Sequence, residues 1–284
     1  MGVDTRLIVY AADKSTAEDA CAAAFERIAA LDTIMSDYRK DSELMRLCDK
    51  AGHGPVRVSD DLFRVVRKSQ EISRQSDGMF DITVGPLVRL WRKARKTGVL
   101  PKSKEIKEAR ALVGWKKLTL DAHARTLQLE TKGMKLDLGA IGKGFADDEA
   151  QTVLKKHGIT RALVEMGGDI VVSGPPPGTR GWTIRVPNAG KGDQAPNMPF
   201  ANCAISTSGD TEEFVVIGSV RYSHVIDPHT GLALTKGVQA TIIAHDGLTS
   251  DPLSTALTLL DRSGRRRLLK NYPGTKSYVR VIRG

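Results

Sequence analysis

The stretch K-L-D-L-G-A-I-G-K-G-F-A-D-D, residues 135–148, sets the reading of the whole chain. A short apolar and acidic run, Leu136 to Leu138, meets glycines at 139, 142 and 144, and a helical pattern follows from Phe145. This predicts a strand, a tight turn and a helix start. Glycine at such a turn permits positive φ and close approach of backbone to a ligand, and a fresh helix N-terminus offers unpaired N–H groups to an anion. Lys143 adds a full positive charge there. Asp137, just before the turn, accepts hydrogen bonds from a hydroxyl or an imide but repels phosphate. A solvated strand–helix connection would carry the same residues, so the stretch needs support from elsewhere in the chain.

Outward from this point, the flanking segments read as an α+β protein. Toward the N-terminus, Leu7 to Tyr10 is a strand, and Ser15 with Glu18 makes a capping box for a helix reaching about Leu31. A polar, turn-rich segment, residues 35–47, allows a helical turn from Ser42. Ser59 caps a second amphipathic helix through Leu62, Val65, Val66, Ser69 and Ile72. Residues 91–111, rich in Lys and Arg, read as an exposed excursion. Residues 118–120 and 126–129 flank D-A-H-A-R as a hairpin. Toward the C-terminus, the helix from Phe145 closes at Gly158, and strands follow at 162–165, 170–173, 182–186, 203–206, 214–217, 221–226 and 238–244. Residues 188–199 form a loop whose composition predicts mobility. Ser250 caps a helix with Pro252 in its first turn. A basic helical patch, 264–270, and a last strand, 277–282, complete the chain. Helices dominate the first half and strands the second, so packed layers are expected rather than regular βαβ alternation.

The 284 residues carry a formal charge of +10, which favours anionic partners. Zinc-like Cys/His spacing, basic–aromatic alternation and a fixed repeat are all absent, so a nucleic-acid module has little support. The three cysteines, Cys21, Cys48 and Cys203, imply no disulfide framework. The opening M-G-V-D-T-R-L has no signal-peptide apolar region, so either the chain is cytosolic or a leader precedes it.

Three groups of residues carry chemistry. Asp251 and Thr255 stand four apart on one helix face, and their hard oxygens suit Mg²⁺, which takes one or two carboxylates and completes its shell with water and phosphate. A quiet alternative is an acidic first-turn residue facing the helix dipole. His224, in R-Y-S-H at a strand end before the D-P-H-T-G turn, is a proton acceptor at neutral pH or a packed core histidine. The string Ser206-Thr207-Ser208-Gly209-Asp210 could cradle a phosphate or be an ordinary loop.

Taken together along the chain, these stretches resemble the ApbE family, the FAD:protein FMN transferases. The resemblance rests on seven blocks in order: M-S-D-Y-R-K-D-S-E (35–43), G-M-F-D-I-T-V-G-P-L (78–87) with Leu90-Trp91, K-L-D-L-G-A-I-G-K-G (135–144), A-L-V-E-M-G-G-D-I (162–170), I-S-T-S-G-D (205–210), R-Y-S-H-V-I-D-P-H-T-G (221–231) and S-D-P-L-S-T-A-L (250–257). It implies one unit, 1–284, of two α+β lobes with a T-fold-like core and the FAD site between them. It implies an enzyme that uses FAD and Mg²⁺ to move FMN onto a threonine hydroxyl of a target protein, releasing AMP; some relatives hydrolyse FAD to FMN and AMP, and a non-catalytic FAD-binding protein is the rival class. Carried over residue by residue, FAD is held by Tyr38, Met79, Phe80, Asp81, Asp137, Lys143 and the strand at His224. The metal is held by Asp251, Thr255 and the carbonyl of Ala140, and His224 is the candidate general base, with Asp169 and Asp251 as competitors. Gly142 stands where the family has alanine, and Met1-Gly2 falls at a flavin contact. The partners implied are FAD and an acceptor protein with a threonine flavinylation motif, with no nucleic acid and with association at the membrane surface left open; the location implied is the periplasm or cell envelope. A module acting through Arg262, Arg265, Arg266, Arg267 and Lys270 on anionic membranes or DNA is the third reading, recognisable by salt-sensitive binding.

Overall fold

In the computed structural model of the chain, the described residues are 2–187, 189, 195–209 and 214–282, the side chain of 282 excepted. Met1, Asn188 and Asp210, named above, lie outside them. The first half runs β1 (Thr5–Val9), α1 (Lys14–Met35), α2 (Glu43–Asp49), β2 (Val56–Arg57), α3 (Asp60–Gln75), α4 (Gly85–Thr97), α5 (Ser103–Ala111), β3 (Leu118–Asp121) and β4 (Thr126–Leu129). The second runs α6 (Gly142–Lys156), β5 (Ala162–Met166), β6 (Asp169–Val172), β7 (Trp182–Arg185), β8 (Asn197–Phe200), β9 (Cys203–Gly209), β10 (Phe214–Ile217), β11 (Val220–Ser223), β12 (Gly237–Ala244), α7 (Gly247–Leu259), α8 (Arg262–Leu269) and β13 (Lys276–Ile282). The fold is mixed α and β, as the sequence implied.

Its centre is a six-stranded antiparallel sheet in the order β1-β5-β6-β9-β12-β13. In the inner strands β5 and β6 and along the second half of β12 both faces are covered, so these segments are apolar almost throughout, whereas the edge strand β1 alternates half-buried and exposed residues. Val164 packs with Ala20, Ala24, Ala150 and Leu154 of α1 and α6. Its neighbour Leu163 points the other way, toward Trp182 and Ile184 of the β7–β8 hairpin. In the same fashion Ile242 joins the main core and Ile243 the hairpin side. The main core continues through α3, whose Leu62, Val65, Val66 and Ile72 fall on one helical face, to the small sheet β2-β4-β3. Among the described residues, no helix is long and apolar enough to cross a membrane.

Several local expectations change. The cap of α1 is Asp13, whose carboxylate accepts from Thr16 N and Thr16 Oγ1 at 2.8 Å each, so the helix starts before Ser15 and runs on to Met35. The expected excursion 91–111 is overturned only at its start: Leu87, Trp91 and Ala94 form the buried face of α4, and Trp91 Nε1 donates to Gly231 O at 2.9 Å, whereas its residues beyond Ala94, α5 included, carry no buried side chain. The lysines and arginines lie between those positions, and their number hid the helical period. Residues 136–138 form no strand beyond an isolated parallel bridge, Val84 to Lys135, and α6 begins at Gly142 rather than Phe145. Part of the expected loop 188–199 is strand β8, paired with β7. Ser206 to Gly209 belong to β9, so their hydroxyls stand on a sheet and not in a phosphate-cradling loop. Finally, α7 is capped by Asp246, which accepts from Thr249 N at 2.8 Å; Ser250 is inside the helix and Asp251 stands in its second turn.

Candidate active site

The site is assembled where α6 and α7 begin side by side across β6 and β9. Gly144 and Gly247 bring the two backbones into contact: a Cβ on Gly144 would lie 2.1 Å from Gly247 O, and one on Gly247 would lie 2.3 Å from Gly144 O. Gly144 therefore serves helix packing, and neither it nor Gly142 has the positive φ that the sequence suggested for the turn. Asp148, one turn along α6, completes the junction by accepting from Gly247 N and Leu248 N at 2.8 Å each. These bonds partly offset the burial that pushes its carboxyl up to about 7.

At this junction Lys143 is held between two carboxylates. Its ammonium donates to Asp169 Oδ2 and lies 3.8 Å from Asp251 Oδ1, while Gly144 N donates to Asp251 Oδ2 at 3.1 Å. Burial alone would push the lysine down, yet Asp251 and Asp169 outweigh it and raise its pKa. Asp251 is 1% exposed; burial first, then the charge of Asp169, push it up to about 7 against the pull of Lys143. Thr255 lies one turn further on and shares a hydrogen bond of 2.9 Å with Ser208 of β9, which also meets Ser254 at 2.7 Å. Ser206 and Ser250 pair in the same way at 2.8 Å. The polar string on β9 is thus a ladder of hydroxyls that seats α7. Ala140 falls in the turn ahead of α6, in the same segment as Lys143.

Asp147 is a residue that sequence reasoning passed over. It is 0% exposed, and neither carboxylate oxygen has a hydrogen-bond partner. Burial, then Asp169, raise its pKa well above the usual carboxylate range. A group whose folded pKa is raised favours folding below its unfolded value and loses that contribution as pH rises. Asp147→Asn should therefore gain on the parent protein between pH 4.5 and 8, because the amide has no charged form to disfavour as pH rises. Urea denaturation midpoints at the two pH values measure this.

A second corner joins the loop after α1 to α4 and to the segment before α6. Arg92 donates to Asp37 and, at 3.0 Å, to Asp137 Oδ2, and its guanidinium lies 4.4 Å from the ring centre of Tyr38, which is 73% exposed. The other oxygen of Asp137 accepts from Gly139 N at 2.9 Å. Asp137 N in turn donates to Ile82 O at 2.8 Å, which lays residues 79–82 beside it. Within that segment Phe80 is core and Met79 half-buried. The Asp81 carboxylate is taken by Thr83 N, Thr83 Oγ1 and Trp115 N, so it shapes the segment. His224 is half-buried just beyond β11, whose Tyr222 rests against Trp91 of α4 at 5.4 Å between ring centres. The basic patch forms α8, where Arg262, Arg266, Arg267 and Lys270 are exposed while Arg265 Nε donates to Leu257 O at 2.7 Å.

This geometry has counterparts. The family model described as "ApbE family" matches residues 1–279. The chain belongs to the ApbE family. It is similar to the FAD:protein FMN transferase of Vibrio cholerae, 33% identical over 231 residues that span 80% of this chain and 69% of the relative. A Klebsiella pneumoniae protein of the same name is 30% identical across 100% of this chain and 83% of its own. Among solved structures, a mutant of the flavin transferase ApbE from Vibrio cholerae superposes with a TM-score of 0.86 at 29% identity, covering 100% of this chain and 92% of that one. The ApbE protein of Thermotoga maritima gives a TM-score of 0.86 at 30% identity, covering 99% and 91%. In this chain Lys143, Asp169 and Asp251 meet around one junction, with Thr255 a turn further along α7, and Tyr38, Arg92 and Asp137 meet around another, the two being joined by residues 137–143.

Proposed function

We propose that this chain is an FAD:protein FMN transferase that moves FMN from FAD to a threonine hydroxyl of an acceptor protein and releases AMP. The observation that carries the reading is the lysine clamped between Asp169 and Asp251 where α6 and α7 meet, in a protein whose named relatives are flavin transferases. In the reaction the hydroxyl oxygen bonds to the phosphorus of the FMN half. The bond from that phosphorus to the bridging oxygen breaks, and AMP leaves with that oxygen. A pyrophosphate diester and a weak nucleophile demand charge neutralisation and in-line positioning, and Lys143 supplies positive charge at the N-terminus of α6. His224 takes the hydroxyl proton. Tyr38, Met79 and Asp137 hold the ring portions of FAD, with Phe80 and Asp81 shaping that wall.

The residues also fit Mg²⁺. Three buried carboxyl groups, Asp147, Asp169 and Asp251, gather about one lysine, the oxygens of Asp147 are unpartnered, and the burial and mutual repulsion that push Asp147 and Asp251 up would be relieved by a further cation. Among the described residues no three His, Cys, Asp or Glu side chains form a ready metal cage. The donors proposed are instead one carboxylate, Asp251, one hydroxyl, Thr255, and the carbonyl of Ala140, a sparse hard-oxygen set of the kind that leaves room for water and phosphate. When bound there, Mg²⁺ supplies neutralisation of the pyrophosphate charge.

Incubation with FAD, Mg²⁺ and an acceptor polypeptide bearing a threonine tests the whole reading: AMP should appear together with an acceptor heavier by one FMN unit. AMP and free FMN without a modified acceptor would make the chain an FAD pyrophosphatase, and intact FAD throughout would leave only a binding protein. His224→Ala should slow the transfer by at least about 10²-fold, the contribution of a general base, with FAD affinity and thermal stability little changed. A preserved rate per folded molecule in that variant would make His224 a packing residue and bring Asp169 forward.

A further inference from the structure

We propose that Arg92 is a positioning residue of the FAD site, one guanidinium that fixes an aromatic face, Tyr38, and an anionic acceptor, Asp137, as a single receptor for a planar heterocycle with N–H donors on its edge. This rests on the proposed FAD chemistry and assigns to it a residue outside every motif on which the resemblance rests. The geometry starts from α4: Arg92 is the residue after the buried Trp91, so packing of the indole against Gly231 and Tyr222 fixes where the arginine leaves the helix. Its guanidinium then has three neighbours. One terminal nitrogen donates to Asp37, the other donates to Asp137 Oδ2 at 3.0 Å, and Cζ lies 4.4 Å from the Tyr38 ring centre. A planar fork with donors in fixed directions can bridge two carboxylates and lie against a ring at once, which an ammonium cannot do.

The consequence for Asp137 is a locked rotamer. Gly139 N–H holds Oδ1 at 2.9 Å and Arg92 holds Oδ2, leaving each oxygen a second lone pair for a ligand. Burial first, then the like charge of Asp37, push the Asp137 carboxyl up, and Arg92, with smaller help from Gly139 N–H and from Arg89 on the same helix, opposes them only in part. The consequence for Tyr38 is an orientation. An exposed ring on a loop loses rotational freedom when it stacks, and a ring already held against a guanidinium has less to lose. Together they present a stacking surface and an acceptor on either side of one guanidinium. Two parts of FAD match this: the isoalloxazine, with its imide N–H, and adenine, with its amine.

The test is titration of FAD, FMN and AMP against the parent protein, Arg92→Gln, Arg92→Lys, Asp137→Ala and the double variant Arg92→Gln/Asp137→Ala, following flavin fluorescence or, for AMP, heat of binding. Arg92→Gln should weaken FAD by about 10- to 100-fold, the worth of a charge-assisted contact. Arg92→Lys should restore part of the affinity. FMN weakened with AMP unchanged assigns the corner to the isoalloxazine, and the reverse to adenine. In the Asp137→Ala background the second substitution should cost far less than it does alone, because Arg92 acts through Asp137. Equal costs in both backgrounds, or FAD affinity unchanged in Arg92→Gln, would overturn the proposal. A parent protein that binds no FAD would instead sink the functional reading on which it stands.

Discussion

Asp251→Asn should lower the rate of FMN transfer by about 10³-fold, or about 4 kcal/mol, while the protein remains folded. The substitution removes the one carboxylate that faces both Lys143 and Thr255's turn of α7, and with it the anionic donor of the proposed metal set. It keeps an amide oxygen that can still accept from Gly144 N, so the α6–α7 junction loses little. Stability should in fact move the other way above neutrality. Burial and Asp169 raise the carboxyl from 3.8 to about 7 in the folded protein. Its contribution to folding is complete below the unfolded value and is lost as pH rises through about 7, whereas the asparagine has no such loss. Thermal unfolding in the absence of Mg²⁺ should show the variant gaining on the parent between pH 4 and 8. A transfer rate within tenfold of the parent at saturating FAD and Mg²⁺ would remove Asp251 from the chemistry, and a variant that fails to fold would identify it as structural. Chelation of the metal from the parent protein should reproduce the same loss of rate.

How much of this was legible in the sequence depended on whether a residue's role is local. The helix α3 and the hairpin β3–β4 follow from periodicity and capping within a dozen residues, and both were read correctly. The pair Asp251 and Thr255 was read from spacing of one helical turn, which needs no tertiary knowledge. By contrast the true cap of α7, Asp246, competed with Ser250, and the choice is settled by Asp148 from α6, a residue 98 positions before the cap, holding Gly247 N and Leu248 N. Arg92 was hidden because a stretch dense in Lys and Arg looks like solvated surface. What makes it different is Trp91 beside it and two aspartates brought from positions 37 and 137. Asp147 was visible as half of an Asp-Asp pair, but that one member caps a neighbouring helix while the other is buried without a partner is decided by helix rotation against β6. The hydroxyls of β9 were noticed and misassigned, because a Ser-Thr-Ser-Gly string has loop composition and only its pairing with β12 shows it to be a strand.

The role of the central glycines is the sharpest case, and it gives the largest expected effect on stability. Gly144→Ala should destabilise the fold by about 4 kcal/mol, at the upper end for overpacking a close contact, with a fall in Tm of roughly 8 °C or more. The added Cβ would lie 2.1 Å from Gly247 O, 2.5 Å from Gly247 C and 2.8 Å from Asp251 Cβ. Two of these are backbone atoms at the start of a capped helix, so no side-chain rotation relieves the clash, and α6 and α7 must move apart. That movement stretches the bond from Gly144 N to Asp251 and pulls Lys143 from between its two carboxylates. The rate should therefore fall along with the stability. Gly142→Ala is the control, because its Cβ would meet only Leu138 Cβ at 3.9 Å. In a helical first turn alanine costs less chain entropy than glycine, so this variant should be neutral or gain up to about 1 kcal/mol. If instead both substitutions shift Tm equally, the glycines act through backbone flexibility of the turn; if Gly144→Ala leaves Tm within 2 °C, the helices do not meet backbone to backbone at this point.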